Sequence, residues 1–320
     1  MKTVMVTGAA GFIGSAVLRR LQSEPSMIPK AVVRSLDGLC LPVADVSAIG
    51  DISGVTDWKD LLSGVSTIIH SAALAHVNNH KKDSSVLFRR VNVEGAINLA
   101  RQAAEAGVER FIFLSSIGVN GDSTIEPFNE SDKPCPSRMY AVSKLEAEEG
   151  LWEVQKQTGI EIVIVRPPLV YGKNAPGNFG MLVKALAKGV PLPLGSVGNK
   201  RSFIGVDNLV DFLAVCIDHP AAANQVFLVS DGDDLSTTDF LKLTAKGLGR
   251  SARLIPVPSS LLRIALTLLG RREMATSLLD SLRIDISKAQ ELLGWIPPVS
   301  VEEGLRRAVA PLTVGRQPSG

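Results

Sequence analysis

The chain has few cysteines, almost no net charge and no long apolar run, and each shortage removes a class of protein. Cys40, Cys135 and Cys216 are three cysteines in 320 residues, widely spaced and without a CxxC pair. Neither a disulfide framework nor a zinc site is indicated, and a reducing cytoplasm is the expected compartment. The formal net charge is +2, with basic residues scattered apart from short pairs such as Lys81-Lys82 and Arg271-Arg272, which gives no case for nucleic acid. No apolar run approaches the ~18–20 residues needed to span a bilayer. The nearest, Leu261 to Leu269, is interrupted by Arg263 and followed by Arg271-Arg272. It reads as an amphipathic helix of a smaller lobe, with contact to a membrane surface as the alternative. Met1-Lys2 leads straight into a strand pattern, so no signal peptide is expected. What is present is a 45% hydrophobic composition, enough to bury a sizeable core in one compact unit of two lobes.

Near the start, Val4-Met5-Val6 is followed by Thr7-Gly8-Ala9-Ala10-Gly11-Phe12-Ile13-Gly14 and an apolar periodic stretch to Leu21. A strand, a glycine turn and a helix start in that order can seat a dinucleotide pyrophosphate on backbone N–H groups. Gly8 permits the tight turn, Gly11 lets the backbone approach phosphate, and Gly14 lets helix and strand close up. The spacing is G-x-x-G-x-x-G, and its bland alternative is a loop between a core strand and a core helix.

A second constellation is Tyr140-Ala141-Val142-Ser143-Lys144, opening a helical stretch towards Gly159. Residues four apart share a helix face, so Lys144 can place an ammonium beneath the Tyr140 phenol. A nearby positive charge is expected to lower the phenol pKa and make Tyr140 a proton donor or acceptor. Upstream, Phe111-Ile112-Phe113-Leu114 reads as a buried strand ending in Ser115-Ser116. A hydroxyl at that end of an open α/β sheet faces the ligand crevice, so Ser116 can bond the same substrate oxygen.

Strands expected at Val4–Thr7, Ala31–Arg34, Thr67–His70, Phe111–Leu114, Ile162–Val165 and Val226–Val229 alternate with helices at Ile13–Leu21, Trp58–Leu62, Ser85–Ala106 and Met139–Gln157. The fold class is α/β, a doubly wound parallel Rossmann sheet with a smaller C-terminal substrate lobe. Residues 1–170, joined by 224–231, are assigned to the dinucleotide-binding domain, 171–312 mostly to the substrate lobe and 313–320 to a tail.

With these residues in place, the chain resembles the extended short-chain dehydrogenase/reductases of the NAD-dependent epimerase/dehydratase family, which includes UDP-glucose (UDP-galactose) 4-epimerases and UDP-4-keto-6-deoxy-hexosamine 4-reductases. The resemblance runs through TGAAGFIG (Thr7–Gly14), GDI (Gly50–Ile52), HSAA (His70–Ala73), NVEG (Asn92–Gly95), SSIGVNG (Ser115–Gly121), YAVSK (Tyr140–Lys144), RPPLVYG (Arg166–Gly172), RSFIGVDNL (Arg201–Leu209) and DISKAQELLGW (Asp285–Trp295), in the family's order. It implies Ser116, Tyr140 and Lys144 as catalytic residues. It implies Gly8, Gly11, Phe12, Ile13, Gly14, Arg34, Asp51, Ile52, Ala72, Ala73 and Lys144 as cofactor contacts, and Asn178, Phe179, Arg201 and Arg283 as substrate contacts. His70 and Asn92 are read as structural, Asn92 as a helix-bending residue.

The finer expectations rest on single residues. Val32-Val33-Arg34-Ser35 has no carboxylate until Asp37, and a guanidinium there pairs with a ribose 2′-phosphate. NADP is therefore preferred to NAD, the alternative being an exposed arginine just past a strand. Asp51 matches the family residue for the adenine amino group, or it caps a turn. Arg201 and Arg283 suit a diphosphate, although each alone is an ordinary surface arginine. Asn120, Pro168 and Gly205 depart from the family's tyrosine, asparagine and histidine, and are expected around the sugar and phosphate. Ile117-Gly118 follow Ser116 where dehydratases carry an Asp-Glu pair. The preferred activity is an NADPH-dependent 4-keto-6-deoxy sugar reductase of surface-polysaccharide synthesis acting on a UDP-sugar. The alternatives are a 4-epimerase and, remotely, a non-catalytic NADP sensor. No metal is expected. A homodimer joined by two long helices is.

Overall fold

The structure, a computed structural model, describes residues 1–37, 41, 43–75 and 84–310. Cys40, the Lys81-Lys82 pair and the 313–320 tail lie outside the described residues. In chain order the elements are β1 (Lys2–Thr7), α1 (Phe12–Gln22), β2 (Met27–Val33), β3 (Val46–Ala48), α2 (Lys59–Leu62), β4 (Thr67–His70), α3 (Ser84–Phe88), α4 (Gly95–Glu105), β5 (Arg110–Leu114), α5 (Met139–Thr158), β6 (Glu161–Arg166) and β7 (Leu169–Tyr171). They continue with α6 (Gly177–Ala187), β8 (Arg201–Gly205), α7 (Val206–Asp218), β9 (Gln225–Leu228), β10 (Asp234–Leu235), α8 (Thr237–Gly247), α9 (Ser259–Leu268), α10 (Arg272–Leu279), α11 (Ser287–Leu293) and α12 (Val301–Val309).

Strand residues alternate between two cores because successive side chains leave a strand on opposite faces. Val4 and Val6 pack with Leu18 and Leu21 of α1 and Leu209, Phe212 and Leu213 of α7. Met5 lies on the other face with Leu99 of α4 and Leu151 of α5. With helices on both sides, the strands read as continuous apolar runs, and all seven pair in parallel in the order β3-β2-β1-β4-β5-β6-β9. The order reverses between β1 and β4, and ligands of such sheets bind at that switch point, beyond the carboxyl ends of the strands.

Two expected elements differ. β2 begins at Met27 and ends at Val33, leaving Arg34 just past it. The expected single helix over Ser85–Ala106 is broken into α3, a wide π-helical turn at Arg89–Glu94, and α4. The buried Asn92 amide holds that turn, donating to the Leu74 carbonyl (3.1 Å) and Ser143 Oγ (3.0 Å) while its oxygen accepts the Leu74 N–H (2.8 Å). Gly95 then brings α4 against Ile52, where a Cβ would stand 2.5 Å from Ile52 Cγ2.

The lobe is built on a second sheet, β10-β8-β7, which periodicity alone did not reveal. Its core gathers Tyr171, Phe179, Phe203 and Phe240 with Leu305 of α12. The Tyr171 hydroxyl donates to Asp231 Oδ2 (2.7 Å), and Asp231 Oδ1 accepts from Gly205 N (2.9 Å) and Asn208 Nδ2 (2.6 Å), tying the lobe to the end of the large sheet. Among the described residues, no helix is long and apolar enough to cross a membrane.

Candidate active site

The glycine turn is a cradle that side chains would fill. Gly8 has φ of +67° and lies so close to β4's end that a Cβ would meet Ala72 Cα at 2.7 Å; a Cβ on Gly14 would meet the Gly8 oxygen at 2.2 Å. Gly11 stands at the start of α1, where no side chain caps the helix and no acidic residue occupies the first turn. The first N–H groups and the positive end of the helix dipole suit an anion, so these residues fit a dinucleotide pyrophosphate. Ile13 lines the main cavity, whereas Phe12 turns towards Gly172 and a second cleft by α7. At the end of β2, Arg34 Nε lies 3.2 Å from Asp51 Oδ1, and both side chains are about three-quarters exposed. The residue expected at a 2′-phosphate and the one expected at adenine are thus ion-paired with each other.

Ser116, Tyr140, Asn178, Phe179 and Arg201 line one cavity of about 690 Å³ at the ends of β5 and β6. Such a volume suits a drug-sized or larger ligand. The Tyr140 ring meets Phe88 edge-on at 6.4 Å. Ser116 Oγ accepts the Gly118 N–H (3.1 Å) and keeps its proton for another partner. One turn along α5 from Tyr140, the buried Lys144 ammonium donates to the Leu114 carbonyl (2.8 Å) and lies 4.3 Å from the Phe113 ring centroid. The expected lowering of the phenol is not what the protein groups alone produce. Burial pushes the Tyr140 phenol up to about 12 and the Lys144 ammonium down to about 7, the latter partly opposed by Glu148. The reason is desolvation, which penalises the charged form of either group. His70, stacked on Phe113 and bonded to Thr7 Oγ1 (2.8 Å), is driven down to about 3 by burial and then by Lys144, so it stands neutral behind the site.

Sequence reasoning missed the support beneath this pair. Glu148 takes a bidentate contact from Arg166, including Arg166 Nε at 3.0 Å, and accepts from Ser115 Oγ. Arg166 also donates to Asn120 Oδ1 (2.9 Å). Asn120 therefore belongs to this buried network, and Gly205 to the Asp231 junction; of the three departures expected around the substrate, Pro168 alone lines the cavity. Glu148 follows Lys144 by four residues, and that spacing is the signal that could have revealed it.

Arg283 is a correction. Its Nε donates to Asp234 Oδ2 (2.8 Å), and it does not line the cavity, because the carboxylate on β10 takes its guanidinium. Arg138, two residues before Tyr140, stands in the cavity wall. Its Nη2 donates to Ser277 Oγ (3.3 Å), and its Nε lies 3.1 Å from Asp122 Oδ1 but out of hydrogen-bond alignment. Arg201 donates to the Asp280 carbonyl (2.7 Å), and burial, then the Arg138 charge, lowers it to about 10. The Asp122 carboxylate in the same cavity answers part of this charge, and two guanidinium groups against one carboxylate leave the wall suited to a further anion.

The model of the NAD dependent epimerase/dehydratase family matches residues 4–230. A UDP-glucose 4-epimerase of Vibrio cholerae is 41% identical over 314 residues, covering 96% of this chain and 94% of that protein. Among solved structures, a UDP-N-acetylglucosamine 4-epimerase from Bacillus cereus superposes with a TM-score of 0.81 at 20% identity, covering 98% and 99% of the two chains. A UDP-glucuronic acid 4-epimerase from the same organism, in complex with NAD, gives 0.79 at 21%, covering 98% and 100%. The glycine cradle, the doubly wound sheet and the match through most of its length make this chain an enzyme of the NAD dependent epimerase/dehydratase family.

Proposed function

We propose that the protein is a nucleotide-sugar 4-epimerase that inverts C4 of a UDP-hexose or UDP-hexosamine. The observation that carries this reading is the shared cavity, which puts the Tyr140 and Ser116 hydroxyls together with the Arg138 and Arg201 guanidinium groups, in a chain 41% identical to a UDP-glucose 4-epimerase. That relative is why epimerisation displaces the reductase reading.

The proposed division of labour follows from the residues. Arg138 and Arg201 hold the diphosphate by charge-assisted bonds, with Asn178 at the start of α6 beside them. The glycine cradle and Ile13 hold the dinucleotide, with Ala72, Ala73 and Ile52 close to it and Lys144 near its ribose. The nicotinamide of a bound NAD or NADP supplies reversible hydride exchange with the sugar carbon. Tyr140 takes the O4 proton and gives it back, while Ser116 donates to O4 and fixes its direction. Held high by burial, the phenol is set to donate; its ionisation in the other direction draws on the Lys144 ammonium.

Arg34 favours NADP. An exposed ion pair such as Arg34–Asp51 is worth at most about 1 kcal/mol, so the guanidinium is free to turn to a 2′-phosphate. The same residue supports the second reading, a 4-keto-6-deoxy sugar reductase that consumes NADPH. We place a homodimer on α4 and α5, a four-helix seam bordered by exposed Val86, Met139 and Val142.

Incubation with UDP-glucose or UDP-N-acetylglucosamine and catalytic amounts of cofactor tests the reading by chromatography. The C4 epimer of one of them is the expected product. No epimer from either, with NADPH oxidised by a UDP-4-keto-6-deoxy sugar, would transfer the assignment to the reductase.

A further inference from the structure

One face of the lobe is unaccounted for by the chemistry. Helix α9 has no fully buried residue. Leu262 and Leu266 pack inwards on the lobe core, while Leu261, Ile264 and Leu268, at i, i+3 and i+7, point away from it. Leu261 and Ile264 are 57% exposed, Leu268 82% and the following Leu269 71%. A monomer in water rarely leaves so many large apolar side chains together on one short helix.

The charge around this face is one-sided. Residues 240–272 hold seven lysines and arginines and no aspartate or glutamate, so the rest of the chain carries net charge of the opposite sign. Lys242 and Lys246 are answered by Asp239 and Glu302, and Arg263 by Asp280. Arg253 before the helix and Arg271-Arg272 directly after it are exposed. Apolar side chains on one face, flanked by arginines, match an anionic lipid surface, where leucines enter the acyl boundary and guanidinium groups meet phosphate. A second copy meeting it face to face offers no such complement, since the same face would set arginine against arginine.

We propose that α9 docks this protein on the surface of an anionic membrane, lying in the interface without crossing it. Helix α10 packs on α9 and contributes Glu273, Ser277 and Leu278 to the wall of the substrate cavity, so docking holds the cavity next to the lipid surface.

Co-sedimentation of the full chain with vesicles tests this, using phosphatidylcholine alone and phosphatidylcholine with one-third phosphatidylglycerol. The protein is expected to pellet with the mixed vesicles and to stay in solution with the neutral ones. The doubly substituted Leu268→Asp, Leu269→Asp protein and the Arg271→Glu, Arg272→Glu protein should each bind the mixed vesicles at least about tenfold more weakly. Thermal melting and cofactor binding should match the parent, because these side chains are exposed and outside the site. Parent and variants that stay equally in solution with both vesicles would overturn the proposal. So would a parent dimer that Leu268→Asp, Leu269→Asp converts to monomer without any change at the vesicles, since the face would then join two copies.

Discussion

At Tyr140 the fold has placed a phenol that burial holds in its protonated form, in the wall of the same cavity as Ser116. If it is the proton relay to O4, Tyr140→Phe lowers turnover by ~10²–10⁴ and leaves cofactor affinity within a few-fold; near-parental kcat would remove the role. Lys144 makes a separate, pH-dependent prediction. Its folded value of about 7 lies below its ordinary 10.5, so between those values the unfolded chain holds a proton that the folded chain has released. The cost of burying the charged ammonium is therefore full below that window and is relieved as pH rises across it, so stability rises with pH there. From pH 7 to 9 the parent should gain on Lys144→Met by on the order of 1 kcal/mol per pH unit in urea unfolding, and a gap independent of pH would contradict the shift. For the cofactor, Arg34→Asp should weaken NADPH binding by about 1.5–3 kcal/mol, the range for a hydrogen bond to a charged group. Titration of both cofactors checks it, and equal parental affinities for NADH and NADPH would end the argument.

The elements that the sequence made legible are those with local signals. The glycine turn, β1, β4 and β5 are short runs buried on both faces, and α5 ends where Gly159 adopts φ of +78° after Thr158. The break in the helix before it was legible only in part: Asn92 reads as a helix-bending residue, but its partners Leu74 and Ser143 lie 18 and 51 residues away. The second sheet was hidden for the same reason, its strands being two to five residues long and paired across distant segments. Arg283 and Arg138 show the limit at the site itself. Sequence supplies guanidinium groups, but the partner of each is set by the fold: Arg283 is held by Asp234, while Arg138 stands in the cavity wall. Beneath α5, Glu148→Ala would strand the buried Arg166 guanidinium and should cost about 3–5 kcal/mol. Glu148→Gln should cost less because it keeps an acceptor; equal urea midpoints for parent and Glu148→Ala would show that the network carries no stability.

At the scale of the molecule, one cavity gathers Ser116 after β5 and Arg138 and Tyr140 at the start of α5 with Arg201 of β8, Phe179 of α6 and Ser277 of α10; in the proposed epimerase these are the proton relay, the anion contacts and the walls. An epimerase built this way returns to its starting redox state after each turnover, whereas a reductase leaves each cycle with its cofactor oxidised. The ratio of nicotinamide consumed to sugar converted separates them in one cuvette. With a UDP-hexose in large excess over cofactor, conversion should run to the epimer equilibrium while the reduced-nicotinamide absorbance stays flat. Nicotinamide reduced in step with the sugar converted, or conversion that stops once the added oxidised cofactor is spent, would contradict the account.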